Sequence, residues 1–224
     1  ASDVYKRQGD YDKPLNKALE MLNYEKFRIE QKAARNEGKF LGVGFSTYIE
    51  SCGLAPSAWV GVGENGEGWG AGLWESANIR IHLTGKAVVT TGSSPHGQGT
   101  ETTMAQIAAD ELGLPIEDVE VKYNDTLGTP FGYGTYGSRS ASVGGAALYN
   151  AVQKVKQKAI RIGAYMLEAS PDDVVYEDGK VSVKGSPDQA KTIQEIAGAA
   201  ALSYDLPEEE EPFLDETSYF DPPN

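Results

Sequence analysis

Two short segments concentrate the residues able to grip an anion. They are Thr91-Gly92-Ser93-Ser94-Pro95-His96-Gly97-Gln98-Gly99-Thr100 and Gly132-Tyr133-Gly134-Thr135-Tyr136-Gly137-Ser138-Arg139-Ser140. Both are rich in glycine and small hydroxyl residues, and each runs straight into a segment of helical spacing. Glycine lets a backbone come close to a ligand. The first N–H groups of a helix lack internal partners and, with the helix dipole, favour negative charge. Arg139 adds a planar cationic fork suited to phosphate. Thr100, Ser138 and Ser140 add hydroxyls, and Gln98 both donates and accepts. One phosphate needs one such loop, whereas two suit a dinucleotide or another extended, charged cofactor. The same residue types also build turns and N-caps, so composition alone leaves both uses open.

Other motifs carry less. Gly61-Val62-Gly63-Glu64-Asn65-Gly66 matches a dinucleotide fingerprint as letters. Glu64 would repel a pyrophosphate, however, and glycine and tryptophan follow where a helix is required. No Walker A sequence and no nucleophile elbow occur. Cys52, the single cysteine, is expected to be a small buried hydrophobe. One cysteine cannot hold an iron–sulfur cluster, which needs about four thiolates. With only His82 and His96 beside it, a zinc site built from His and Cys is not expected.

The 224 residues carry 20 Lys plus Arg against 33 Asp plus Glu, a formal charge of −13. That balance argues against nucleic acid, whose binding depends on basic contacts to phosphate. No apolar run is long enough to span a membrane. The cysteine usage fits a reducing, cytoplasmic setting.

These loops need elements to hold them. Leu15, Ala18, Leu19 and Leu22 predict a first helix, and 24–36 predicts a second that ends at Gly38. Residues 39–50 alternate as a strand, with Gly42 and Gly44 suggesting close approach of another backbone or a ligand. Strands at 76–83 and 86–91 flank the turn Thr84-Gly85. A helix from Thr100 to Leu112, a strand at 119–123 and one long helix at about 138–168 follow. Asp178-Gly179 joins strands 174–177 and 180–183. Thr192 and Glu195 form a capping box ahead of a helix ending near Leu202. The order predicts an α+β fold, a mixed sheet and hairpins packed with helices. Residues 1–8 read as a non-native leader. Residues 203–224, with eight acids and no base, read as a solvated acidic connector.

Pro95–Thr102 (PHGQGTET), Gly134–Ser140 (GTYGSRS) and the long helix after them resemble the molybdenum hydroxylase large subunit of the xanthine dehydrogenase and aldehyde oxidase superfamily. Phe45–Ser57, Trp74–His82 and the order of these pieces are most similar to the aerobic carbon monoxide dehydrogenase branch. The resemblance implies a molybdopterin-binding domain fragment. In that reading residues 9–71 end a first molybdopterin-binding lobe and 72–202 form a second. It implies a molybdopterin cofactor, in its cytosine dinucleotide form, whose own dithiolene holds the molybdenum. By motif, Gln98 and Gly99 would contact the pterin or its phosphate, with Thr100 nearby. Ser138, Arg139 and Ser140 would do so from the second helix end, while Gly97 and Gly137 keep the approach open.

The family oxidises small molecules with oxygen drawn from water and a glutamate as general base, and the carbon monoxide branch adds a copper. Iron–sulfur clusters and FAD would sit on partner chains, a small and a medium subunit. The family's substrate-defining loop and its base find no match, so no catalytic residue is assigned and an internal fragment, inactive alone, is expected. Substrates other than carbon monoxide stay open, an aldehyde or an N-heterocycle, as does a non-catalytic anion-binding scaffold.

Overall fold

The computed structural model describes residues 9–50, 52–62 and 65–223; the expected leader and Gly63-Glu64 of the fingerprint-like run lie outside them. The chain divides after Ile49 into two units. The division falls there, rather than at residue 71, because residues 53 and 54 belong with the second loop: the Gly53 and Leu54 N–H groups both donate to the Gly137 carbonyl, at 3.1 and 3.0 Å.

In the first unit, Asp12–Leu22 (α1) and Tyr24–Asn36 (α2) are joined at Asn23, whose φ of 52° ends one helix and starts the next. The strand expected over 39–50 does not form. No ladder pairs these residues among the described ones. Gln31 Nε2 instead donates to the Leu41 carbonyl at 2.7 Å, and the Tyr24 and Phe45 rings meet edge to face at 6.1 Å. A side chain at Gly42 or Gly44 would meet nothing within 4 Å, so no close neighbour explains those glycines.

The second unit is α+β. A four-stranded mixed sheet is built from Glu75–Ile81 (β1), Ala87–Thr91 (β2), Val119–Lys122 (β3) and Leu214–Phe220 (β7), in the order β3-β2-β1-β7. β1 is antiparallel to β2 and β7, and β2 is parallel to β3. The parallel pair needs a crossover, supplied by Thr100–Leu112 (α3). A second sheet, an antiparallel meander, comprises Val174–Glu177 (β4), Lys180–Val183 (β5) and Ser186–Thr192 (β6). Gly145–Met166 (α4) and Ile193–Leu202 (α5) complete the unit.

Period two on the strands and near 3.6 on the helices meet in one core. Ala77, Ile79, Ile81 and Val89 project from the sheet against Met104, Ala108 and Leu112 of α3 and Leu148, Ala151, Val155 and Ile162 of α4. The long helix is expected from about 138 but opens with one π-helical turn, Ser140–Gly144, before the α-helix begins.

The acidic segment is not a solvated connector. Its second half contains β7, and three of its eight acids pair with bases on the elements it crosses. Asp215 accepts from Asn78 Nδ2 at 2.6 Å and Arg80 Nε at 2.7 Å. Glu216 lies 3.9 Å from the buried Lys158, Glu210 pairs with Arg161, and Lys154 Nζ donates to the Thr217 carbonyl at 2.8 Å. Lys154, Lys158 and Arg161 recur at helical spacing, so one side of α4 meets the segment.

The capping box at α5 forms as the sequence predicts. The Thr192 backbone N–H, then its hydroxyl, hold the Glu195 carboxyl below its ordinary value. A depressed carboxylate stabilises the fold above its unfolded pKa, and that contribution is lost as pH falls through the folded value. Thr192→Ala should therefore cost about 1 kcal/mol near neutral pH. The gap to the parent should narrow from about pH 5 toward pH 3, without vanishing, because acceptance from the Glu195 N–H survives protonation. Urea unfolding at both ends of that range checks it.

Candidate functional site

The site is built on an acid in an apolar row. Alternation along β1 sends Glu75 to the same face as Ala77, Ile79 and Ile81, and its side chain is fully buried. A carboxylate there is tolerable only if its charge and lone pairs are met. Arg139 Nη1 donates to Oε2 at 3.0 Å, the Gly134 N–H donates to the same oxygen at 3.0 Å, and the Ser76 N–H donates to Oε1 at 3.1 Å. Both charged side chains of the pair have no solvent exposure. The guanidinium spends its other donors on carbonyls of Leu73, Trp74 (2.9 Å) and Gly134 (2.7 Å), with a longer contact to Leu54 at 3.4 Å.

Both glycine loops lie against this carboxylate. A Cβ at Gly92 would sit 2.6 Å from Glu75 Oε1, and one at Gly132 only 1.6 Å. No other residue type fits at Gly132 without expelling the acid. Above the pair, Thr135 Oγ1 accepts the Ser94 N–H at 2.8 Å and shares a hydrogen bond with Ser140 Oγ at 2.9 Å. One hydroxyl thus joins the first loop, the second loop and the start of the π turn.

The two loops face one cavity of about 350 Å³. Of the expected site residues, Gln98, Thr100, Ser138 and Ser140 line it. Gly99 caps α3 with φ 83°, a left-handed conformation suited to glycine, and its carbonyl takes the Thr103 N–H at 3.0 Å. Gly97 stands in the turn before it, and Gly137 receives the 53–54 backbone. Arg139 is where the structure departs from expectation. Its guanidinium points beneath the loop and is spent on Glu75, while its two neighbours, Ser138 and Ser140, face the cavity.

The remaining lining includes Thr103, Thr135 and Tyr136, which residue types alone do not single out, along with Met104 and Ala141. None of the lining residues carries a formal charge, so an anion here would be held by hydroxyls, an amide and helix-start N–H groups. Glu75 was legible in principle: it stands in register with buried alanine and isoleucine, where an exposed strand acid would be out of step. Thr103 follows Thr100 toward the same helix start. Thr135 gives no comparable signal, because its partners lie on a different loop. Cys52, expected to be buried, is exposed, held in a turn of φ 31° with its N–H on Glu50 at 3.2 Å.

Removing one member of a buried ion pair strands the other. Glu75→Gln should lower unfolding stability by about 3–5 kcal/mol, and Gly132→Ala, which displaces the same carboxylate, should lower it as well. Chemical denaturation of the two single variants and the double variant should show less-than-additive losses, because both act on one group.

A family model described as a molybdopterin cofactor-binding domain matches residues 17–224. The carbon monoxide dehydrogenase large chain of Hydrogenophaga pseudoflava is 41% identical over 219 residues, covering 96% of this chain and 26% of that protein. The nicotine 6-hydroxylase large subunit of Paenarthrobacter nicotinovorans is 34% identical over 196 residues, 88% of this chain and 23% of that one. Among solved structures, the carbon monoxide reduced state of Cu,Mo-CO dehydrogenase superposes with a TM-score of 0.71 at 40% identity, covering 96% of this chain and 27% of that chain. Quinoline 2-oxidoreductase from Pseudomonas putida 86 gives 0.68 at 36% identity with the same coverage. The chain spans about a quarter of the length of the curated relatives it matches. With two helix-start loops closing on one cavity and a family match across nearly its whole length, this chain belongs to the molybdopterin cofactor-binding domain family.

Proposed function

We propose that this chain is the molybdopterin-binding part of a molybdenum hydroxylase large subunit and that the cavity between its two loops holds the cofactor in its cytosine dinucleotide form. The observation that carries the reading is the convergence of two helix-start loops on one cavity, tied through Thr135. The donor set fits such a group. Thr100, Ser138 and Ser140 offer hydroxyls and Gln98 an amide, while the Thr103 hydroxyl donates to the Gly99 carbonyl at 3.1 Å and holds the first loop on its helix. The first N–H groups of α3 have no intrahelical partners and suit phosphate oxygens.

When bound, the group supplies two-electron oxidation with oxygen drawn from water. The chain's own part is to bind and orient. Gln98 and the hydroxyls fix the ligand's polar edge by direction as well as distance. Met104 and Ala141 add apolar surface to the cavity's lining. Glu75 and Arg139 neutralise each other below it.

For the substrate we assign carbon monoxide, on the higher identity to the carbon monoxide dehydrogenase chains than to the nicotine and quinoline enzymes. That relatives are a large chain and a subunit of a dehydrogenase complex supports partner subunits, to which we assign the iron–sulfur clusters (small subunit) and FAD (medium subunit), in a cytoplasmic setting.

The protein purified with its neighbouring subunits should contain molybdenum and release a cytidine nucleotide on denaturation. Gln98→Ala and Ser138→Ala should each weaken retention by about 1.5–3 kcal/mol, the worth of one hydrogen bond to a charged group. Metal analysis and chromatography of the released nucleotide measure it. Absence of both molybdenum and nucleotide from the parent protein would leave a non-catalytic anion-binding scaffold.

A further inference from the structure

We propose that Glu75 is a positioning residue for the cofactor: its carboxylate sets how the two loops face each other, and Arg139 fixes that carboxylate in place. The proposal rests on the cofactor-binding reading above and adds a role for a residue that does not touch the cavity.

The buried carboxylate touches every part that must be aligned, beneath the bridge that Thr135 makes between the same loops. Gly92 of the first loop packs on Oε1, close enough that any side chain there would collide. Gly132 of the second loop does the same, and Gly134 hydrogen-bonds Oε2 at 3.0 Å. Arg139 binds Oε2 from the start of the π turn, also at 3.0 Å. Two consequences follow from geometry. The carboxylate acts as a spacer, so the distance between the loops is set by its width. The inward pull on Arg139 also turns Ser138 and Ser140 outward, and these are the residues that line the cavity. Ser138 holds φ 52°, a left-handed conformation uncommon for serine.

A merely structural ion pair would behave differently. A buried pair can be replaced by apolar or neutral groups of similar volume with stability kept. The spacing and the outward turn of the serines depend on the carboxylate's own bonds, and neutral groups do not remake them.

The test uses the protein purified with its partner subunits and loaded with cofactor. Parent, Glu75→Gln, Glu75→Asp and the neutral pair Glu75→Gln with Arg139→Met are compared. Two quantities are read: the urea midpoint, and the half-life of bound molybdenum and cytidine nucleotide during dialysis. Glu75→Gln should lose on both. The neutral pair should regain part of the midpoint lost in Glu75→Gln, because the stranded guanidinium is gone although the carbonyls of Leu73, Trp74 and Gly134 lose their donor. It should still release cofactor about 10- to 100-fold faster than the parent, the range seen when supporting partners of a bound metal are lost. Glu75→Asp, which keeps the charge but withdraws the carboxylate by one methylene, should retain the midpoint better than its hold on the cofactor. A neutral pair with parental retention, whatever its midpoint, overturns the positioning role. So does a Glu75→Asp variant with parental retention. If the parent itself carries neither molybdenum nor nucleotide, the cofactor reading fails, and the positioning role fails with it. Ser138→Ala separates the two levels: retention lost there but normal in the neutral pair keeps the cofactor site and removes only the role of Glu75.

Discussion

A carboxylate and a guanidinium, both withdrawn from water, lie beneath the two loops of the second unit. Burying each ion costs several kcal/mol in lost hydration, and mutual attraction offsets that only with good geometry and full hydrogen bonding. Here the accounting is nearly complete. Glu75 accepts from Arg139, Gly134 and Ser76, and Arg139 reaches four carbonyls. The chain around the pair is shaped by that demand. Glycines stand where the acid needs room, and carbonyls turn inward where the base needs acceptors. The loops are therefore bound first to each other's foundation and only then to any ligand.

This arrangement moves formal charge one layer back from the cavity. The lining is neutral and amphoteric: hydroxyls and an amide that can donate or accept. Such a wall discriminates by direction and fit more than by net charge. It also suits a ligand that combines phosphate with a heterocycle rich in donors and acceptors, since one lining can serve both. The π turn contributes here. By lengthening the first turn beyond Arg139, it lets Ser140 reach Thr135 while Val143 and Gly144 still bond back to the Arg139 carbonyl.

Local signals in the sequence were good guides where local rules decide the outcome. Apolar spacing located α3 and the body of α4, Gly113 closed α3, and Thr192 with Glu195 opened α5. The loops were legible through their glycines and hydroxyls. What escaped depended on partners far along the chain. Arg139 looked like a phosphate fork because its true acceptor stands 64 residues earlier. The segment after Ser203 looked solvated because acid-rich composition says so, whereas Arg80, Lys158 and Arg161 wait on other elements to receive it. Phe40, Val43, Phe45 and Tyr48 have the residue types of a strand, but a strand also needs a neighbouring backbone, and none of the described residues offers one.

The sheet order has a consequence for the making of the protein. β1 lies between β2 and β7, yet β7 follows it by more than a hundred residues. On the ribosome, β1 and β2 emerge and pair early, and the other side of β1 stays bare until the chain has been extended through Phe220. A naked strand flank is a template for mispairing between molecules. The acids around β7, drawn to the bases of a helix already made, give the late strand an electrostatic lead toward its place ahead of such a competitor. Translation halted before Leu214 would leave a nascent domain whose sheet is open to any strand that reaches it first.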